Sequence, residues 1–171
     1  MDGNQILFEV GITRTNMAKE IERKFLVNGD HWRSNVDPGS FYRQGYLSLD
    51  EARSVRIRVA GNKAWINVKG KISTFSRHEY EYAIPAQDAQ ELLENLCLKP
   101  LIEKTRYRLV FSDLVWEIDE FNGANSGLII AEVELQSEEQ EFESPHWLGE
   151  EVSHDPRYLN INLVKNPYSN W

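Results

Sequence analysis

The sequence predicts an α+β fold dominated by antiparallel strands, and three observations carry that expectation. Apolar and polar residues alternate at a period of two through most of the chain, which gives a strand one greasy and one polar face. The alternating runs are short and separated by turn-sized breaks such as Gly61-Asn62 and Ser112-Asp113. Helical spacing is convincing in only one stretch, Ala86–Leu98, where Leu92, Leu93 and Leu96 share a face behind Pro85.

Taken in order, the expected strands are Glu20–Val27, Ser40–Leu49, Ser54–Ala60, Lys63–Lys69, His78–Ile84, Glu103–Phe111, Leu114–Phe121 and Leu128–Gln136. A short helix after Asp30 would bury Trp32. The tail from Trp147 onward mixes Trp, Tyr and Leu with polar residues, so it should pack back onto the body. This inventory fits an antiparallel α+β domain or a closed barrel. At 171 residues, 41% of them hydrophobic, the chain suits a single core. Residues 1–18 are expected to be an N-terminal extension, loose or foreign to the native chain, and residues 19–171 the domain itself.

Composition excludes several function classes. A net charge of -8 argues against the broad basic surface that nucleic acids or anionic membranes require. No stretch is apolar for long enough to cross a bilayer. Ile6-Leu7-Phe8 is interrupted by Glu9 and lacks the basic flank of a secretory leader. Cys97 is the lone cysteine, and its apolar neighbours read as the surroundings of a buried inert thiol in a reducing, cytoplasmic setting. His31, His78, His146 and His154 show no metal-ligand spacing.

The charges themselves are patterned. Residues two apart on a strand share a face, so Glu20, Glu22 and Lys24 line up together. The same spacing recurs in Arg56/Arg58, Glu79/Glu81, Lys104/Arg106/Arg108, Glu117/Asp119 and Glu132/Glu134, and Lys69 follows Asn67 on its own strand. A single pair of this kind is most often a strand's wet face. Repeated like-charged pairs on successive strands repel unless opposite charges or ions lie across from them. Segregated acidic and basic strands therefore look built to enclose something charged. A polyphosphate with a divalent metal needs such a lining: Lys and Arg neutralise phosphate oxygens, and carboxylates hold a hard cation. Phosphoryl transfer rests mainly on positioning and charge stabilisation, so no Ser or Cys nucleophile is required.

In these motifs the chain resembles the CYTH superfamily, the triphosphate tunnel metalloenzymes. Glu20-x-Glu22-x-Lys24 stands where the family has its Glu-x-Glu-x-Lys element. Val55-Arg56-Ile57-Arg58, Asn67-Val68-Lys69-Gly70, Glu79-Tyr80-Glu81, Glu103-Lys104-Thr105-Arg106, Glu117-Ile118-Asp119 and Glu132-Val133-Glu134 follow in family order over Lys19–Trp171. The resemblance, closest to short single-domain bacterial members, implies an eight-stranded antiparallel β-barrel forming a tunnel, with helices packed outside. It implies that Lys24, Arg56, Arg58, Lys69, Lys104 and Arg106 bind the triphosphate. Glu20, Glu22, Glu132 and Glu134 would hold Mg²⁺ or Mn²⁺ and position water, with Glu20, Glu22 and Lys24 at the chemistry. Glu79, Glu81, Glu117 and Asp119 would complete the acidic lining. Lys165 matches a position where some relatives bring a C-terminal lysine toward the tunnel, and His78 one where relatives often carry a basic residue.

The implied activity is metal-dependent hydrolysis of a triphosphate, inorganic tripolyphosphate first. Adenylate cyclase of the class IV type and thiamine or nucleoside triphosphatase are alternatives within the family, and a non-catalytic polyphosphate-binding module is an alternative outside enzymes. The expected partner is a small-molecule triphosphate, with no nucleic acid and no membrane, in a monomer or homodimer.

Overall fold

The structure is a computed structural model that describes residues 20–50, 52–71 and 76–171, with backbone alone described at residues 20, 35, 71, 76 and 77. The expected N-terminal extension, residues 1–18, therefore lies outside the described residues.

Among the described residues nine strands form one antiparallel sheet: β1 (Glu20–Val27), β2 (Ser40–Asp50), β3 (Arg53–Ala60), β4 (Lys63–Lys71), β5 (Ser76–Ala83), β6 (Ile102–Phe111), β7 (Leu114–Asn122), β8 (Ile129–Glu134) and β9 (Leu148–Glu151). Their order is β5-β4-β3-β2-β6-β7-β8-β1-β9, and β1 also meets β5 at Glu20↔Arg77 and Ile21↔Ser76. The eight expected strands all form. The ninth, Leu-Gly-Glu-Glu, carries no alternation to betray it and adds to the far end of β1 through Phe25↔Glu151 and Val27↔Leu148. Two α-helices join the sheet, α1 (Ala86–Asn95) and α2 (Asn160–Lys165), together with single 3₁₀ turns such as His31–Asn35, which seats the fully buried Trp32. The α1 helix stops at Asn95 rather than running to Leu98. Beyond it Cys97 donates its backbone N–H to the Leu92 carbonyl and turns its thiol inward, leaving Leu96 and Leu98 exposed.

Turn chemistry fixes the hairpins. Between β6 and β7, Ser112 and Asp113 both take positive φ, +45° and +64°, as a tight two-residue hairpin demands. At β2 the chain passes close to the end of α1: a Cβ on Gly45 would stand 2.7 Å from the Cys97 Cβ and 2.8 Å from Leu101 Cδ2.

The apolar residues fall into three clusters. On the face opposite the charges, Phe25, Trp116, Ile118, Ala131 and Val133 pack with Trp32 and Trp147, and the Phe25 and Trp147 rings each meet Trp116 edge to face. The α1 helix lays Ala89 and Leu93 on the same outer face, against Ile57 of β3 and Ala64 of β4. The third cluster lies on the charged face itself, where Ile102, Phe121 and Ile130 pack with Ile161 and Leu163 of α2. One helix thus sits outside as expected, whereas α2 plugs the apolar end of the charged face. The physical reason is periodicity: Ile102, Phe121 and Ile130 are two residues from Lys104, Asp119 and Glu132, so they share that face and need a cover.

A charged cavity as the candidate active site

A cavity of about 990 Å³ opens on the charged face, lined by side chains from all of β1 to β8. Its wall holds seven basic residues, Lys24, Arg56, Arg58, Lys69, Lys104, Arg106 and Arg108, and six carboxylates, Glu22, Glu79, Glu81, Glu117, Glu132 and Glu134. The sequence-derived residues are therefore brought together, with two qualifications. The side chain of Glu20 lies outside the described residues, although its backbone continues β1 beside Arg77. Asp119 is fully buried beneath the lining, not on it.

Register explains the convergence. Lys24 stands opposite Glu132, Glu132 opposite Glu117, and Glu117 opposite Arg108, so one row crosses β1, β8, β7 and β6. A second row runs Arg56, Asn67, Glu81 across β3, β4 and β5, and Lys69 faces Glu79 beside it. Like charges meet directly at Glu117↔Glu132 and at Glu22↔Glu134. The first pair is relieved by Arg106, whose guanidinium donates to Glu117 and, at 2.7 Å, to Glu132.

On the side nearest α2 the groups are most deeply held. Lys24 donates to Glu22 and to Glu132. Asp119 accepts from Lys104, and from Arg106 Nε at 2.7 Å and Nη2 at 2.6 Å. Lys24, Lys104, Asp119 and Glu132 each carry the mark of low polarity opposed by a close partner. Burial works against the Lys24 ammonium, but Glu132 and Glu22 outweigh it and hold the group above its ordinary value. Burial and then the neighbouring Arg106 push Lys104 down to about 8 despite Asp119. Burial would raise Asp119 and Glu132, yet Arg106 and Lys104 keep the first low, and Lys24 and Arg106 keep the second well below its usual range.

The opposite wall is organised differently. Arg58 Nη2 donates to Glu81 at 2.5 Å, and Asn67 Nδ2 donates to Glu79 at 2.9 Å and to Glu81 at 2.6 Å. Lys69 pairs with Glu79 at 3.1 Å and Arg56 with the same carboxylate at 3.8 Å. The Arg58 guanidinium lies over the Trp65 and Tyr42 rings, 5.3 and 5.8 Å from their centroids. Burial and the adjacent Arg56 press it below its ordinary value.

Sequence reasoning did not single out Gln44, which is 1% exposed and lines the cavity on β2, or give a role to the buried Asn67. A polar residue two before Tyr46, on the face where Tyr46 is itself buried, was the available signal for Gln44. Two other arginines make structural contacts. Arg23 faces away from the cavity, where it grips Glu151 and covers Phe25 and Phe142, and Arg43 pairs with Glu103 at 3.2 Å. His78 is exposed at the start of β5, and Lys165 is exposed at the far end of α2, whose first turn supplies the lining residues Asn160 and Ile161.

Among the described residues no helix is long and apolar enough to cross a membrane, and no three His, Cys, Asp or Glu side chains converge as a ready-made metal site. The second fact does not disqualify Mg²⁺ or Mn²⁺, since Mg²⁺ is commonly held by one or two carboxylates with water and substrate phosphates filling the rest. Glu22 and Glu134 fit that pattern: they are register partners on the cavity face, and like charges so placed favour a cation between them.

The model of the CYTH domain matches residues 18–168. An inorganic triphosphatase of Acetivibrio thermocellus is 54% identical over 155 residues, covering 91% of this chain and 99% of that protein. An inorganic triphosphatase of Nitrosomonas europaea is 37% identical over 153 residues, covering 85% and 96%. A crystal structure of an inorganic triphosphatase superposes with a TM-score of 0.62 at 34% identity, covering 88% of this chain and 97% of that one.

Proposed function

The chain belongs to the CYTH domain family, and from that membership we propose that it hydrolyses inorganic tripolyphosphate, releasing phosphate, in a metal-dependent reaction. The observation that carries this reading is the cavity wall: seven cations and six carboxylates face one space, an inventory matched to a polyanion and its counter-ion and to little else. The similarity to inorganic triphosphatases over nearly the whole chain supports the choice of substrate. The β1–β5 contact supports a further reading, that the sheet rolls into a tunnel open at the end away from α2.

The basic residues divide the work by chemistry. Arg56, Arg58 and Arg106 offer forked donors to non-bridging oxygens, while Lys24, Lys69 and Lys104 supply point charges between them. Asp119 acts from behind, holding Lys104 and Arg106 in place for the phosphates. Glu22 and Glu134, with Glu20 and Glu132, would hold Mg²⁺ or Mn²⁺, which when bound would neutralise phosphate charge that carboxylates alone would repel. Glu132 already gives one oxygen to Lys24 and the other to Arg106, so its first role is to aim both cations. The same carboxylate set would position the attacking water, and the cations would stabilise the charge that spreads over the departing phosphoryl oxygens. A cytoplasmic location completes the reading, with no nucleic acid or membrane partner.

The test is turnover by purified protein across tripolyphosphate, ATP and thiamine triphosphate with Mg²⁺ and Mn²⁺, scored for phosphate and pyrophosphate. Phosphate from tripolyphosphate, lost in Glu22→Gln and Arg58→Ala, is the expected result. Cyclic AMP with pyrophosphate from ATP would make the enzyme a cyclase, and absence of turnover with every substrate and metal would end the hydrolase reading.

A further inference from the structure

We propose that Gln44 is a substrate-positioning residue, its side-chain amide donating to a non-bridging phosphoryl oxygen beside Arg58, on strands β2 and β3, which neither carry nor adjoin Glu22 and Glu134. The inference rests on the tripolyphosphate reading and deepens it.

Gln44 is a costly choice for its position. It is 1% exposed, yet its Nε2 is buried without a hydrogen-bond partner. A buried amide N–H left unmade costs about 1–3 kcal/mol, and a Met or Leu of similar volume would fill the same space without that cost. Such a group in a cavity wall calls for a ligand atom that satisfies it. It is not alone. Arg58, its register partner on β3, has a buried Nε with no partner, and so does Arg56, the register partner of Tyr46. Three unsatisfied N–H donors therefore cluster on adjacent strands.

The ligand chemistry follows from the donors. All three unpartnered atoms are N–H donors, so the complement is an oxygen acceptor, and beside two guanidinium groups an anionic phosphoryl oxygen fits best. No carboxylate satisfies these three donors: Glu81 accepts instead from Arg58 Nη2 and Asn67, and Glu79 from Asn67 with Lys69 beside it. β2 stands four places from β1 along the sheet. The Gln44 seat therefore serves a phosphoryl group other than the one beside the metal carboxylates. A neutral amide adds a directed hydrogen bond without adding charge, so it fixes where the phosphoryl group sits as well as strengthening its binding.

Gln44→Met keeps length and volume and removes the donor. Its melting temperature should equal or exceed that of the wild type, while KM for tripolyphosphate rises about 10- to 100-fold, the worth of a hydrogen bond to a charged group. The kcat should change by less than the KM, because the seat lies away from the metal carboxylates. Gln44→Glu, of the same shape, replaces the donor by a repelling carboxylate and should raise KM further. The tripolyphosphate-induced rise in melting temperature should shrink in both variants. Unchanged KM and unchanged ligand-induced shift in Gln44→Met would overturn the assignment, as would a fall in melting temperature with KM unaltered. The failure of the hydrolase reading looks different: the wild type would bind tripolyphosphate without turnover, and the shift in melting temperature would still report on Gln44.

Discussion

Asp119→Asn tests the buried part of the site. The carboxylate is fully buried and accepts from Lys104 and twice from Arg106. Removing one partner of a buried ion pair costs about 3–5 kcal/mol because the other charge is stranded. Arg106 retains Glu117 and Glu132, so the lower figure applies and Lys104 bears most of the loss. For a chain of this size each kcal/mol is about 2–4 °C of melting temperature, which gives a fall of roughly 6–12 °C at neutral pH. A second effect follows from sign. Lys104 stands at about 8 with Asp119 helping to hold its proton. Without that carboxylate it discharges at lower pH, and the free enzyme loses a positive charge from its phosphate grip near neutrality. The alkaline limb of kcat/KM, which reports the free enzyme, should stand near pH 8 in the wild type and move toward neutrality in the variant. Calorimetric melting at pH 7 and a pH series of tripolyphosphate turnover measure the two effects. A melting temperature within a degree or so of wild type, or an unmoved alkaline limb, would refute the reasoning.

Three further outcomes follow from the described contacts. Asp119 and Glu132 are held below their usual values of 3.8 and 4.5, so the stability they contribute is present at neutral pH and is lost as pH falls through those depressed values; urea titrations between neutral pH and about pH 3 should show the decline. Gly45→Ala forces a methyl into Cys97 and Leu101 and should cost about 1–3 kcal/mol, read as a lower denaturant midpoint at unchanged slope. Replacing Ser112-Asp113 by Asn-Gly relieves two positive-φ positions and should stabilise by about 1 kcal/mol, seen as a rise in melting temperature with turnover unaltered.

The strands were legible because a two-residue period survives any tertiary context, and the charged pairs were legible as faces for the same reason. The ninth strand was not, since Leu148–Glu151 has no alternation and is recruited by the open end of β1. Depth was hidden as well. Glu117 and Asp119 read alike in sequence, yet Asp119 lies one step nearer Phe121 and the α2 plug, and so becomes a buried counter-ion while Glu117 lines the cavity. Pairing across distant strands, such as Lys24 with Glu132, depends on which strands adjoin, and no local pattern specifies that. Gln44 was missed because its meaning lies in a donor without a partner, a property of the folded neighbourhood alone.

Every cation of the cavity wall already has a carboxylate beside it, from Lys24 with Glu22 to Arg108 with Glu117. The protein is in that sense its own competitive ligand. An incoming anion must displace internal partners, and a single phosphate, which meets only a few cations at once, has little with which to do so. A chain of three phosphates engages several cations together, and the proposed metal would take up the carboxylates so released. Under the proposed function, discrimination against shorter phosphates, including the products, would arise from an exchange threshold set by these internal ion pairs, and product release would be assisted by carboxylates reclaiming their cations.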